Sequence, residues 1–462
     1  MKNILMFYRL LRNKCYIWFP GYFSQQSYQR KVVLPEDKDI HLIVQLVDHF
    51  EPCRREGVLG VKKVREWCKK YEEIAESHSD SDSRFPQHTW FYRYDYPNYD
   101  CISILSEYVY NGFGEIEFHL HHAYDTPESF TEKIRQGIAW FNRVGAMISA
   151  EAKPQIRFGY IAGNWALDNG RRNAAYSGVN TELSILSEEG CYADFTFPAI
   201  PSNAQPRKVN SIYYAKDTPK PKSYNTGIDV KVGKQPSGDL MIFQGPLLVD
   251  WKRKYTESAA FESFAPYRPW RIDNWIRAGI HVIGRPEWIF VKLHTHGMQS
   301  RDAVLSDQLD AMLSDLERQF KNPPFSLHYV TSREAYNIVK AAEAGKSGNP
   351  NEYRSFIIPQ PANSKLFCNQ PYKLEKYSKD HVILKTESLS NDTMIKFKDL
   401  PLNLIRGDTI SSIDLSYTNN SIKRLHIDGE GKCTLNYEES RNGALDTIVK
   451  KFNLPLKIDN VF

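Results

Sequence analysis

Seven cysteines, at 15, 53, 68, 101, 191, 368 and 433, include no CxxC pair. That absence excludes a cysteine-built zinc site. The odd, scattered set likewise gives no disulfide framework, which fits a reducing compartment. Long apolar runs are also missing. Met1 to Phe23 mixes Lys2, Arg9, Arg12 and Lys14 with Tyr, Trp, Phe and Leu, and each apolar run stops well short of the ~20 residues a spanning helix needs. The same stretch lacks the apolar block and small-residue cleavage site of an export signal. It reads as an N-terminal packing arm over 1–38, with weak membrane-surface contact as the alternative. There is no Lys/Arg block, and a net charge of +5 over 462 residues is too small to argue for nucleic acid. Internal repeats and low-complexity tracts are absent.

The composition is that of a globular protein, 41% hydrophobic and 25% charged, at a length that outruns one compact core. The 27 Tyr, 24 Phe and 9 Trp suit stacking on sugar rings, and suit core packing equally well.

From 39 to 345 strand-like and helix-like segments alternate. Apolar, β-branched runs stand at His41–Val47, Thr89–Tyr92, Glu115–Phe118, Gln155–Tyr160, Tyr192–Phe197, Leu240–Phe243, Trp288–Leu293 and Ser326–Val330. Helical patterns lie between many of them: Val61–Ser77, Ile102–Asn111, Pro127–Ser149, Asn180–Glu189, Arg271–Ala278, Ala303–Phe320 and Ser332–Ala344. This alternation predicts an α/β fold, a β/α barrel or a distorted relative of one. Residues 198–240, rich in Pro, Lys, Asn and Ser, predict a long insertion of the kind that covers an active face. After Ala344 comes the linker-like Gly-Lys-Ser-Gly-Asn-Pro. Beyond it, 346–462 carries short alternating strands and predicts a C-terminal β-sandwich-like accessory domain.

In a parallel β/α fold the active site gathers at the carboxyl ends of the strands. There stand Asp48-His49-Phe50-Glu51, then His119-Leu120-His121-His122, Arg157-Phe-Gly-Tyr160, Asp194, and His294-Thr-His296. Six of the 13 histidines fall at these ends. On an extended segment residues i and i+2 share a side, so His119 and His121 can reach one point. Neutral imidazole is the commonest nitrogen ligand for zinc and related metals. Metal-assisted hydrolysis needs such ligands, a base for the attacking water, a proton donor for the leaving group and a donor to the oxyanion.

These strand-end segments resemble the motifs of the polysaccharide deacetylase family, within the glycoside hydrolase/deacetylase β/α-barrel superfamily. Leu46-Val47-Asp48-His49-Phe50 stands where that family has Thr-Phe-Asp-Asp-Gly. Glu115-Ile-Glu-Phe-His119-Leu-His121-His122 stands where it has Glu-Ile followed by His-Ser/Thr-x-x-His. Arg157-Phe-Gly-Tyr160 matches its Arg-x-x-Tyr, and Leu293-His294 its Leu-x-His, with His296 two residues on. The resemblance covers 39–345.

By that resemblance Asp48 is the catalytic base and His49 takes the place of a metal-binding aspartate. His119, with His121 or His122, completes the metal site. His294 or His296 is the general acid, Arg157 orients the base, the Tyr160 backbone N–H serves the oxyanion, and Asp194 holds the acid histidine. A nitrogen-rich donor set of this kind favours zinc as the divalent metal. The expected activity is removal of an acetyl group from a carbohydrate. The alternatives are a glycosidase-like hydrolase, with Asp48, Asp194, Glu51 or Glu117 as its carboxylates, and a non-catalytic carbohydrate-binding or assembly protein. The most economical setting is the cytoplasm, in surface-polysaccharide synthesis.

Overall fold

A computed structural model describes residues 8–35, 39–52, 58–172, 174–387, 391–418, 421–441 and 444–459. Cys53 and the two ends of the predicted arm, 1–7 and 36–38, lie outside the described residues.

The chain divides into two compact units. The first holds the described residues up to Cys101, then Phe113–Arg135 and Phe158–Ile357; the second holds Ile102–Gly112, Gln136–Arg157 and the described residues from Ile358 onward. The boundary thus falls after the linker-like glycines rather than at them. Arg354 explains this, because its guanidinium pairs with Asp80 at 3.2 Å and Glu334 at 3.0 Å, inside the first unit.

Helix α1 (Cys15–Gln29) precedes strand β1 (Ile40–Phe50), and α2 (Val58–Ala75), β2 (His88–Arg93), α3 (Tyr99–Asn111), β3 (Gly114–Leu120) and α4 (Pro127–Phe141) follow. Next come β4 (Phe158–Ala162), α5 (Glu182–Glu188), β5 (Cys191–Asp194), β6 (Ile212–Ala215), β7 (Ile228–Asp229) and β8 (Leu240–Phe243). The hairpin β9 (Leu248–Asp250) and β10 (Tyr255–Glu257), α6 (Arg271–Arg277), β11 (Trp288–Thr295), α7 (Arg301–Val304), α8 (Asp307–Phe320), β12 (Phe325–Tyr329) and α9 (Ser332–Glu343) complete this stretch of the chain, of which most of α3 and the end of α4 belong to the second unit. Every predicted strand of this region is present with ends shifted by a few residues; among the helices, Pro127–Ser149 stops early at Phe141 and Ala303–Phe320 is broken into α7 and α8.

The sheet runs β11-β1-β2-β3-β4-β5-β8-β6-β7, with β12 also paired to β1. Pairing is parallel from β11 to β8, and β6 and β7 turn antiparallel. The 198–240 excursion therefore widens the sheet with β6 and β7 rather than serving only as a cover. Among the described residues no strand ladder joins β7 to β11. Instead an irregular segment bridges the two edges: Phe290 N–H donates to the Ile280 carbonyl at 2.8 Å, and Ile283 N–H to the Val230 carbonyl at 3.0 Å.

Register decides which side chains share a face. Val47 lies level with Thr89 and Glu115, His49 with Phe91 and Glu117, Lys292 with Gln45, and His294 with Val47. Strand alternation then puts Gln45, Val47, His49, Arg93, Glu117, His119, Lys292 and His294 on one face. The opposite face carries Leu46, Asp48, Phe50, His88 and Trp90 and packs on α2, whose Val64, Trp67, Cys68, Tyr71 and Ala75 are buried at helical spacing. Helix α9 starts with a capping box, Thr331 with Glu334. Its first turn meets the sheet, Ser332 N–H donating to Thr89 Oγ1 at 3.1 Å and Arg333 clasping Glu115.

The second unit has one antiparallel sheet, β13 (Leu366–Cys368) through β20 (Leu456–Asp459). Two long strands organise it: β17 (Leu402–Thr418) pairs with β18 (Ser421–Arg441), and β18 also carries β19 (Ala444–Asn453) and β20. Its core, including Leu384, Ile395, Ile405, Ile413, Leu425 and Leu435, comes from alternate strand positions.

Candidate functional site

Glu51 follows β1, His119 is the penultimate residue of β3 and His121 stands one residue past its end. Their ligand atoms lie within 4.8 Å of one another. His119 Nε2 and His121 Nε2 are 3.0 Å apart, and Glu51 Oε1 is 3.4 Å from the first and 2.9 Å from the second. The i, i+2 logic for His119 and His121 thus describes their geometry. The carboxylate that joins them is Glu51, two residues beyond His49 and just past the end of β1.

The surroundings prepare these three groups. His119 Nδ1 lies 2.8 Å from the Ile161 carbonyl, which fixes that nitrogen as donor and leaves Nε2 free to accept. Burial, only partly opposed by Glu51, pulls His121 down to about 4 and keeps it neutral. Burial pushes Glu51 up, but the imidazoles of His119 and His121 beside it outweigh burial and hold the carboxylate well below its usual range. Arg93 grips the other Glu51 oxygen at 3.0 Å and is itself held by Asp95 at 2.7 Å. Two imidazole nitrogens and one carboxylate oxygen this close together fit a divalent metal.

His49 and His296 stand beside this group as a stack, ring centroids 4.5 Å apart and planes 23° apart. His49 also meets His119 edge-on at 5.1 Å. Burial, reinforced by His296, His119 and His294, drives His49 well below the usual imidazole range, and its Nε2 is buried without a hydrogen-bond partner. His296 goes the other way. Burial lowers it, but Glu262, 2.7 Å from Nδ1, more than reverses that and raises it. Ser300 Oγ donates to the second Glu262 oxygen. Sequence reasoning missed Glu262 because its loop reaches the strand end only through the bridge between Ala260 and His294.

Other predicted residues are placed elsewhere. Asp48 lies on the helix-facing side of β1, wholly buried, where His88 Nε2 approaches at 2.9 Å and Gly297 N–H donates at 2.7 Å. The strand's two-residue period explains this, since adjacent residues cannot both face the histidines. His122 turns away from His121 into a pocket between Asp125, at 3.0 Å, and Glu182, at 3.5 Å. Burial lowers it, but those two carboxylates outweigh burial and raise it to about 9. Arg157 is exposed in the second unit, its guanidinium on the neighbouring Ile156 carbonyl. Tyr160 lies within β4, its hydroxyl 3.5 Å from Glu182. Asp194 accepts from Thr196 N–H and Oγ1 and has no hydrogen bond to His294 or His296 among those described. His294 shares the face of His49; burial and Lys292 hold it well below the usual range, and its Nδ1 has no partner.

The loop after β4 closes over this cluster. Asn164 Nδ2 is 3.2 Å from His121 Nδ1, and Trp165 meets His49 at 6.4 Å and His296 at 6.2 Å, both edge-on. Asn164, Trp165, Asp168 and Asn169 all have positive φ, a conformation that costs non-glycine residues free energy and concentrates at functional sites. Glu182 and the excursion hold the loop there: Asp168 N–H donates to Glu182 at 2.7 Å, and Ser223 N–H to Asp168 at 2.6 Å.

A second acidic group, Asp80, Asp82 and His328, also converges. It sits at the other end of β1, where Arg354 already supplies the cation and Asp80 accepts backbone N–H groups of Asp82, Arg84 and Tyr329. That is a structural knot.

No family model matches the chain, and no curated protein does. A crystal structure from Parabacteroides distasonis, named a "putative glycoside hydrolase/deacetylase", aligns over 85% of this chain and 85% of its own, at 11% identity and a TM-score of 0.31. At that score the likeness supports no conclusion about this chain.

Proposed function

We propose that the chain is a metal-dependent hydrolase that removes acetyl groups from carbohydrate. One observation carries this reading: Glu51, His119 and His121 converge beside two stacked imidazoles whose pKa values are pushed in opposite directions. A divalent ion held by those three residues would acidify a water molecule and polarise an acyl carbonyl. His49, neutral and with an unpartnered Nε2, takes the proton that the attacking water loses. His296, whose pKa Glu262 raises, delivers a proton to the departing oxygen or nitrogen. Arg93 holds Glu51 ionised and in place.

The acetylated sugar comes from the motif resemblance of His119-Leu-His121 and Leu293-His294. The sheet, with its edges bridged through 280–283, is read in the same spirit as a distorted β/α barrel. A glycosidase would need two carboxylates flanking the bond. Of the four considered, Asp48 faces the helices, Asp194 is held by Thr196, and Glu117 accepts from Gly159 N–H and the Tyr192 hydroxyl. Only Glu51 stands in the cluster.

The test is the metal content of the protein purified without chelator, followed by assay on acetylated oligosaccharides. Stoichiometric zinc or another divalent ion with acetate release is the expected result. New reducing ends without acetate would replace this reading with the glycosidase. A metal-free, inert protein would leave only the binding role.

A further inference from the structure

Helix α1 is aromatic on two sides, and only one of them is covered. Cys15, Trp18 and Tyr22 are buried. Polar ties fasten that side to the first unit: Lys14 Nζ to Asn203 at 2.7 Å, Gln25 to the Asn210 carbonyl at 3.0 Å, and Gln29 to the Gly279 carbonyl at 2.6 Å. The other side presents Tyr16 and Phe23, two turns apart, with half-buried Phe19 between them and edge-on to Phe23 at 5.3 Å. Tyr8 and Leu11, in the helical turn before α1, are exposed as well.

A second element adjoins the helical turn that carries Tyr8 and Leu11. Arg9 Nη1 donates to the Lys254 carbonyl at 3.1 Å, which brings the tip of the β9–β10 hairpin alongside. That tip reads Trp251-Lys252-Arg253-Lys254, and its indole is open to solvent. Tyr8, Leu11, Tyr16, Phe23 and Trp251 are each at least 51% exposed. Isolated exposed apolar side chains are ordinary; five large ones on α1, the turn before it and the hairpin are not.

Along the chain, the N-terminal segment carries charge of one sign. Met1 to Pro35 contains Lys2, Arg9, Arg12, Lys14, Arg30 and Lys31 and no Asp or Glu. Lys252 and Lys254 add to it at the hairpin tip, where Arg253 is neutralised by Asp250 at 3.0 Å. Arg171 and Arg172 lie close enough to act on Lys14. A second copy of the chain would bring two positive surfaces together, so self-association is disfavoured. No described helix is long and apolar enough to cross a membrane.

We propose that the side of α1 bearing Tyr16 and Phe23, together with the Trp251–Lys254 turn, docks on an anionic lipid bilayer. The rings and Leu11 settle at headgroup depth while Arg9, Arg12, Lys252 and Lys254 meet lipid phosphates. This inference does not depend on the proposed chemistry.

Co-sedimentation of the full chain with vesicles of phosphatidylcholine, with or without phosphatidylglycerol, tests it. Binding to the anionic vesicles should exceed binding to neutral ones by about 10-fold or more and weaken toward ~0.5 M salt. The double variant Leu11→Ala/Trp251→Ala should bind about 10-fold more weakly, and Arg12→Glu/Lys252→Glu should abolish binding, both with unchanged thermal midpoints. Equal or absent binding to both vesicle types overturns the proposal. So does binding that ignores Leu11→Ala/Trp251→Ala, which would mark a polyanion surface such as one for RNA. Light scattering that reports a lipid-free dimer, dispersed by the same double variant, would assign the surface to self-association and overturn it equally.

Discussion

The imidazoles of His49 and His296 lie face to face, 4.5 Å between centroids, yet one is driven toward the neutral form and the other toward the charged form. Only His296 has a carboxylate partner, Glu262 at 2.7 Å. Pairs of titratable groups pushed apart in this way divide acid from base.

Removing the acid by His296→Ala should lower kcat on the preferred acetylated substrate by about 10²–10⁴-fold. Glu262→Gln should cost less and also move the pH profile. The anion raises His296, so its loss lowers that pKa, and the alkaline limb of activity should shift to lower pH. A limb that stays put in Glu262→Gln would assign the acid elsewhere.

Metal content should separate the three converging residues from His122, which adjoins His121 in sequence. Glu51→Ala, His119→Ala and His121→Ala should each weaken metal retention by about 10-fold or more on dialysis followed by elemental analysis. His122→Ala should retain metal at wild-type stoichiometry. It should instead unfold earlier, because Asp125 and Glu182 lose the cation between them.

Asp48 should prove to be a positioning residue. It accepts from Gly297, the residue after His296, while Trp67 Nε1 donates to the Gly297 carbonyl at 3.1 Å. Asp48→Ala leaves Gly297 N–H and His88 without their buried partner, a loss of about 2–3 kcal/mol in urea unfolding. Metal should remain bound. Gly297→Ala should be worse tolerated, since a Cβ there would come within 2.1 Å of Asp48 Oδ2.

His78 gives a pH dependence remote from the cluster. It lies 3.1 Å from both Asp310 and Glu317, and although burial lowers it, these carboxylates outweigh burial and raise it above 6.5. A raised imidazole pKa stabilises the fold fully below the unfolded value, and the contribution is lost as pH rises through the folded value. His78→Gln should therefore cost about 1–2 kcal/mol near pH 6 and much less near pH 9, read from denaturant midpoints in parallel with wild type.

The strands were legible because buried parallel strands read as short apolar runs such as His41–Val47 and Trp288–Leu293. His119 and His121 were legible because their spacing is local. Choosing between Asp48 and the His49/Glu51 pair needed the facing direction of β1, which a near-continuous apolar strand does not encode by alternation. Glu262 and Asn164 reach the histidines through tertiary contacts more than 30 residues away in sequence. Motif reading has no access to such pairs. Arg157 was singled out from the strand pattern and given its role by the resemblance, but it precedes β4 and its guanidinium rests on the Ile156 carbonyl.

Strand β1 is forked: on one side Ile40–Val44 pairs with β12 and Leu46–Phe50 with β2, while β11 runs along the other. Two of its three neighbours therefore leave the ribosome more than 230 residues after it. The segment bearing His49 and Glu51 waits through most of synthesis with only β2 to pair with. Non-local pairing of this kind slows folding and leaves an apolar strand open to capture. A nascent chain stalled before β11 should thus bind chaperones through β1, and release should coincide with the emergence of β12.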